Sequence, residues 1–239
     1  MSRKRKFLVI VIVEGISEED ALYPKLSEIG KRLNVRFEIM GTDVFTAKES
    51  EGKKSKLVVG SVIKEFTSRP EFNKNDIKMV IQLTDTDGVY ITDDKILVDE
   101  SQLKKTVYSL ENIIVNNESQ FEEIKNNRNS GKRGHLDTLS KTEEVAKISY
   151  KILYFSRNLD HVISNDPDIT GSEKSKKADA FSNSFTSFED FERFFKESDF
   201  AVAGTYDETW DFIKNDVNSL KRFSNFHLIF EMLREVEGC

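Results

Sequence analysis

The chain has 239 residues and a formal net charge of −6, with 33% charged and 38% hydrophobic residues. This length suits one large domain or a domain with an added lobe, and the composition excludes a disordered or fibrous chain. The single cysteine, Cys239, excludes an intrachain disulfide and a cysteine-based zinc site, and favours the cytoplasm. The negative charge argues against coating of nucleic acid by bulk electrostatics, but not against an enzyme that approaches phosphates through bound cations.

The first predicted element is a strand over residues 6–13 (KFLVIVIV), a continuous apolar run typical of a parallel sheet covered on both faces. The run ends at Glu14, too short for a membrane span and without a small-residue cleavage site, so we expect neither a signal peptide nor a membrane partner. A helix should follow, with Ser17 and Asp20 as a capping box.

Two further strands and one helix complete a β-α-β-α-β pattern. The apolar runs 35–40 and 77–83 predict strands, 55–67 predicts a helix, and 41–54 is a polar loop. Right-handed crossovers place the three strands parallel in one sheet, whose functional sites lie beyond the carboxyl ends of the strands.

The rest of the chain is predicted to be mostly helical. Seven phenylalanines between 181 and 200, several at helical spacing, indicate core packing. The other predicted elements are a helix followed by a loop over 116–144, a strand over 151–155, a short helix over 157–164, a surface segment over 165–178, and helices around Trp210 and over 226–236.

Carboxylates follow two of the predicted parallel strands. Glu14 and Gly15 end the first strand, and Asp85-Thr86-Asp87-Gly88 ends the third. Carboxylates that converge at one sheet edge raise each other's pKa unless a cation lies between them, and oxygen ligands suit hard cations. The pattern therefore predicts a Mg²⁺ or Mn²⁺ site made of Glu14, Asp85 and Asp87.

These motifs resemble those of the Toprim fold, in which one apolar strand ends in Glu-Gly and a later one in Asp-x-Asp. The resemblance covers roughly residues 6–163. It implies a Rossmann-like α/β fold with a mostly parallel central sheet, and we expect a Toprim-like catalytic domain over 1–163 with a helical C-terminal extension, 164–239, packed on it.

The form Glu14-Gly15-x-Ser17-Glu18 is most similar to the Toprim nuclease domain of the OLD family. In that branch a Ser and an acid follow a later strand and a downstream Lys completes the site. The matching positions here are Ser156 and Asp160, with Asp where Glu is usual. Lys174, Lys176 and Lys177 are the candidate lysines, of which Lys177 is taken as the catalytic one.

The resemblance implies metal-dependent cleavage of phosphodiester bonds in DNA or RNA. Asp85 and Asp87 would hold a metal, Glu14 would bind metal or act as general acid or base, and Glu18 and Asp160 would hold a second ion. No Gly-x4-Gly-Lys-Ser/Thr motif is present, so an ATPase partner would be a separate chain. Analogy with standalone members suggests a role in antiviral defence.

Two alternatives stay open. The chain is alternatively a non-catalytic Toprim-like module that binds nucleic acid or a partner. Asp85-Thr86-Asp87-Gly88-Val89 also resembles the first motif of haloacid-dehalogenase-like phosphatases, but the later acidic pair, Asp166-Pro167-Asp168, follows a polar segment and not the apolar strand usual in that family. His161, next to Asp160, and the basic stretch 125–141 are further candidates, the stretch for contact with a nucleic-acid backbone or with solvent alone.

Overall fold

The structure is a computed structural model that describes residues 7–41, 54–70, 72–166, 169 and 172–237. The predicted polar loop falls almost wholly in the first gap, and Pro167 and Asp168 of the alternative phosphatase motif also lie outside the described residues.

A five-stranded sheet forms the centre of the fold, with the strand order β2-β1-β3-β8-β7. Its first four strands are parallel, and only the short edge strand β7 runs antiparallel to β8. A mostly parallel sheet was predicted, and this is confirmed. The strands are β1 (Phe7–Val13), β2 (Val35–Gly41), β3 (Ile77–Asp85), β4 (Ile96–Val98), β5 (Thr106–Tyr108), β6 (Ile113–Val115), β7 (Glu144–Val145) and β8 (Ile148–Phe155).

Helices cover both faces of this sheet, which confirms the α/β class. They are α1 (Ile16–Arg32), α2 (Ser55–Thr67), α3 (Glu118–Glu122), α4 (Ser130–Leu139), α5 (Leu159–Ser164), α6 (Ser172–Asn183), α7 (Phe188–Glu197), α8 (Tyr206–Ile213) and α9 (Ile229–Glu237). A π-helical segment, Glu123–Asn129, joins α3 to α4.

The two cores follow from the alternation of side chains along β1. Val9, Val11 and Val13 face one core, which they share with α1 and with the phenylalanines of α7. Leu8, Ile10 and Ile12 face the other core, which contains residues of α2, α4 and α8. Both faces are therefore dry, as the uninterrupted apolar run predicts.

The phenylalanine-rich region is core, as predicted. Phe188, Phe191, Phe195 and Phe200 are buried and belong to the same cluster as β1 and β3. The C-terminal helices thus bury part of their apolar surface on the parallel sheet, while the domain boundary at 163 remains a prediction.

A second, three-stranded sheet was not anticipated. Strands β4, β6 and β5 pair in that order within residues 96–115. Ile91, Ile96 and Ile113 pack with Leu220 in a separate small core beneath this sheet. Three-residue strands carry too short a pattern for periodicity to reveal them.

Two local predictions are wrong. Helix α1 begins at Ile16 with the extended Gly15 as its N-cap, so Ser17 lies inside the helix and its hydroxyl donates to Glu18. Residues 165–178 are not only a surface segment, because α6 begins at Ser172. The polar face of α6 hides its helical signal, while Ala178 and Phe181 pack into the core beside α1.

Residues 116–144 also differ from the predicted helix followed by a loop. Helix continues from Glu118 through the π-helical segment to Leu139. Leu136 and Leu139 are buried against the sheet, and this packing supports a helix that its glycines and polar residues do not favour by propensity.

Candidate functional site: an acidic cluster with two lysines

Glu14 and Asp85 meet at the carboxyl ends of the adjacent strands β1 and β3. The backbone N–H of Asp85 donates to Oε1 of Glu14 at 3.1 Å, and the hydroxyl of Thr84 donates to the same oxygen at 2.6 Å. Asp85 pairs in register with Phe155 of β8, and its Oδ1 accepts the N–H of Leu159 at 3.1 Å. Three parallel strand ends therefore fix these two carboxylates, as the strand geometry predicts.

Asp87 lies in the turn that follows β3. Its backbone is left-handed, with φ +49°, and its N–H donates to the carbonyl oxygen of Arg157 at 3.0 Å. Gly88 also has a positive φ, +70°, and a Cβ there would lie 2.5 Å from Cδ2 of Leu220. Only glycine meets both requirements, so Gly88 is a structural need of this turn.

Lys132 of α4 enters the space between Glu14 and Asp87. Its Nζ lies 2.7 Å from Oδ2 of Asp87 and 3.3 Å from Oε1 of Glu14. The lysine side chain is only 4% exposed, against 21% for Glu14 and 35% for Asp87. A lysine so deeply buried needs such partners, because an unpaired buried ammonium is costly.

A second group of charges lies beside the first. Nζ of Lys174 on α6 is 2.9 Å from Oδ2 of the buried Asp160 on α5. Glu18, in the first turn of α1, is also buried and interacts electrostatically with Lys174, Asp160 and Asp85. Asn158 caps α5 by accepting the N–H of His161, which sets the start of the helix that carries Asp160.

The surroundings of Asp85 shift the pKa of its carboxyl upward. Burial raises the pKa of Asp85 well above its usual value, and Glu14, Glu18 and Asp87 raise it further. Burial also raises the pKa of Glu18. Burial alone would lower the pKa of Lys132, but Asp87 and Glu14 outweigh it and the pKa is raised. Because Asp85 interacts with Glu14 and Asp87 of the first group and with Glu18 of the second, the two groups form one cluster.

The cluster fits a hard divalent cation by its chemistry. Its five acids offer oxygen ligands alone, and these acids outnumber the two lysines that contact them. Within the described ranges, however, no group of three or more His, Cys, Asp or Glu side chains is arranged so that it could hold a metal ion. The Lys132 ammonium occupies the space between Glu14 and Asp87 instead.

The predicted residues fall into two sets. Glu14, Asp85 and Asp87 come together around Lys132, and Glu18 and Asp160 come together near Lys174. Lys177 instead pairs with Asp166 at 3.0 Å, Lys176 is exposed, and the Ser156 hydroxyl donates to the carbonyl oxygen of Asn218. The buried His161 lies in α5 next to Asp160.

Sequence reasoning missed the role of Lys132. It lies between the Asp-x-Asp and Ser156 motifs, in the basic stretch that was considered for nucleic-acid contact, and no local pattern distinguishes it from its neighbours. The signal that existed is indirect: a lysine is one helical turn from the apolar Leu136, on a helix that covers the sheet. Thr84, which precedes Asp85, was missed for the same reason.

The fold and the cluster define a class of protein: an α/β protein with a charged cluster at the carboxyl edge of its parallel strands. Comparisons of the chain with protein-family models, curated proteins and solved structures find no match. Among the described helices, none has the length and apolar character needed to cross a membrane.

Proposed function

We propose that this protein is a divalent-metal-dependent nuclease with a Toprim-like catalytic domain. One observation carries the proposal: the backbone N–H of Asp85 donates to the carboxylate of Glu14 across adjacent parallel strands, and Lys132 contacts both Glu14 and Asp87. The order Glu-Gly, then Asp-x-Asp, and the edge of the sheet at which they meet agree with the Toprim pattern. Glu18 and Asp160, the two acids at positions that resemble the OLD-type nuclease motif, extend the cluster.

Glu14, Asp85 and Asp87 would hold the cation, Mg²⁺ or Mn²⁺, and Glu18 and Asp160 would extend the site. The cation would supply charge stabilisation for the scissile phosphate and a more acidic water. The protein itself orients the ligands: Thr84 and the N–H of Asp85 fix one oxygen of Glu14, and the N–H of Leu159 fixes one oxygen of Asp85. Such preorganised donors reduce the reorganisation that metal binding requires.

A second candidate function is a non-catalytic nucleic-acid or partner-binding module. It is favoured by the contacts of Lys132 and Lys174, since these ammonium groups already neutralise part of the acidic cluster without a metal. In that case the cluster would be a structural ion-pair network. The haloacid-dehalogenase-like phosphatase is a weaker candidate, since its first motif usually lies near the N-terminus and here β1, α1, β2 and α2 precede the strand that ends at Asp85.

The proposal is tested by cleavage assays on labelled single-stranded DNA, double-stranded DNA and RNA, with Mg²⁺, Mn²⁺ or EDTA. We expect metal-dependent cleavage of at least one substrate, which Asp85→Asn and Glu14→Gln reduce by about a hundredfold or more. Asp179→Asn, which changes an exposed acid of α6, is the matched control and should cleave like the parent. Equal cleavage by all four proteins would refute the assignment of the site.

The same preparations separate the rival functions. Binding of nucleic acid without cleavage under every metal condition supports the non-catalytic module. Hydrolysis of a small aryl phosphate that Asp85→Asn abolishes, without any nuclease activity, supports the phosphatase. A separate ATPase partner and a role in antiviral defence are further parts of the proposal. Addition of candidate ATPases to the cleavage assay tests the partner.

A further inference from the structure

The ammonium group of Lys132 contacts two carboxylates that come from different strands. It lies 2.7 Å from Oδ2 of Asp87 and 3.3 and 3.5 Å from the two oxygens of Glu14. Its position is thus one in which a cation neutralises both acids at once. The lysine side chain is nearly inaccessible, so this contact differs from a chance surface ion pair.

The helix that carries Lys132 is fixed to the same turn as Asp87. The adjacent Arg133 donates from Nε and Nη2 to the carbonyl oxygen of Val89, at 2.8 and 2.5 Å, and from Nη2 to that of Ile91 at 2.9 Å. One turn further along α4, Leu136 is buried in the core, and His135 shares a 2.8 Å hydrogen bond with Ser55 of α2. The backbone of Lys132 is therefore held rigidly beside the acids.

The backbone just before α4 adds to this picture. The segment Glu123–Asn129 is π-helical, a conformation that is rare and frequent at functional sites. Because a π-helical turn contains more residues than an α-helical one, the segment changes the rotation at which α4 begins. It thereby contributes to the direction in which Lys132 leaves the helix.

We propose that Lys132 is an internal cation of this site, which neutralises Glu14 and Asp87 until a divalent metal takes its place, and which then contacts the substrate phosphate. The second half of this inference rests on the proposed nuclease function, whereas the first half does not. A divalent cation between Glu14 and Asp87 would repel the ammonium group. The flexible four-carbon stem of lysine lets the head move while α4 stays in place.

The test compares the full-length parent with Lys132→Met, Lys132→Arg and Lys64→Met, using calorimetric titration with Mn²⁺ and thermal unfolding with EDTA or Mn²⁺. Lys132→Met removes the competing charge, so we expect it to bind Mn²⁺ about tenfold more tightly and to melt at a lower temperature in EDTA. Lys132→Arg keeps the charge and should bind no more tightly than the parent. Lys64 is exposed on α2, and its replacement should change neither measurement.

Cleavage assays at saturating Mn²⁺ test the contact with phosphate. Lys132→Met should cleave about a hundredfold more slowly than the parent despite its tighter binding of metal. Unchanged cleavage by the saturated Lys132→Met protein would overturn the phosphate contact. Unchanged or weaker binding of Mn²⁺ would overturn the internal cation, whether or not the parent is a nuclease.

The outcomes also separate this inference from the proposed function. Tighter binding of Mn²⁺ by Lys132→Met, together with a parent that cleaves no nucleic acid, supports the internal cation and refutes the nuclease. Cleavage by the parent, together with an unchanged Mn²⁺ affinity of Lys132→Met, supports the nuclease and refutes the internal cation. If neither the parent nor Lys132→Met binds Mn²⁺, both ideas are wrong.

Discussion

Glu14 accepts a hydrogen bond from the backbone N–H of Asp85 at 3.1 Å, although the two residues are 71 positions apart in the chain. The bond exists because β1 and β3 are adjacent and parallel, so that both residues leave the sheet at the same edge. One carboxylate is thereby held by the backbone of the other. Removal of the Glu14 carboxylate should therefore alter stability as well as any activity.

The raised pKa of Asp85 predicts a pH dependence of the metal-free protein. In the folded state the carboxyl keeps a proton that the unfolded chain loses near its ordinary pKa of about 4. The free energy of unfolding should therefore fall as the pH rises from about 4 toward the raised pKa. Asp85→Asn should flatten this part of the profile and stabilise the neutral-pH protein in EDTA by on the order of 1 kcal/mol.

Urea unfolding in EDTA at several pH values measures the effect of Asp85→Asn. Asp87→Asn is the comparison, since it removes a charge that Lys132 contacts and should destabilise the protein instead. A parent whose stability rises steadily over the same pH range, with no change in slope in Asp85→Asn, would contradict the prediction.

Thr84→Val should loosen Glu14 without removing any charge. The Thr84 hydroxyl is buried and donates to Oε1 of Glu14 at 2.6 Å, while valine keeps the shape and the strand preference. We expect a loss of about 1–3 kcal/mol in the free energy of unfolding and weaker binding of Mn²⁺. Thr138→Val, whose exposed hydroxyl donates to a carbonyl of its own helix, is the control and should bind Mn²⁺ like the parent.

Lys174 should matter more than Lys177, contrary to the expectation from the resemblance. Lys174 contacts the buried Asp160, whereas Lys177 contacts Asp166 in a pair in which both side chains are nearly half exposed. We expect Lys174→Met to lower the free energy of unfolding by about 1 kcal/mol and to slow any cleavage. Lys177→Met should change the free energy of unfolding by only a few tenths of a kcal/mol, which is about the value of a surface ion pair. Urea unfolding and cleavage assays on both variants measure these effects. A larger effect of Lys177→Met than of Lys174→Met would support Lys177 as the lysine of the site.

Gly88→Ala should destabilise the turn that carries Asp87. Alanine at φ +70° is strained, and its Cβ would lie 2.5 Å from Cδ2 of Leu220. We expect a loss of about 2 kcal/mol or more in the free energy of unfolding. Gly134→Ala lies in α4 with open space around the added Cβ and should stabilise by about 0.5–1 kcal/mol, so the pair of variants separates local strain from a general effect of alanine.

Much of the site follows from the sequence because it lies at the ends of long apolar strands. The runs before Glu14 and Asp85 specify parallel strands, and right-handed connections bring their carboxyl ends to one edge. The seven-residue run of β1 predicts burial on both faces, which the two cores confirm. Short elements such as β4–β6, and α6 with its polar face, lack this information and were missed.

The sequence by itself determined which acids stand at the strand ends. Only the tertiary structure decided which cations meet those acids. Lys132 and Lys174 come from α4 and α6, and their contacts depend on how those helices pack on the sheet, through Leu136 and Ala178. A long side chain on a polar helix face carries no local mark of where its charge will lie, because packing of the apolar face sets that position.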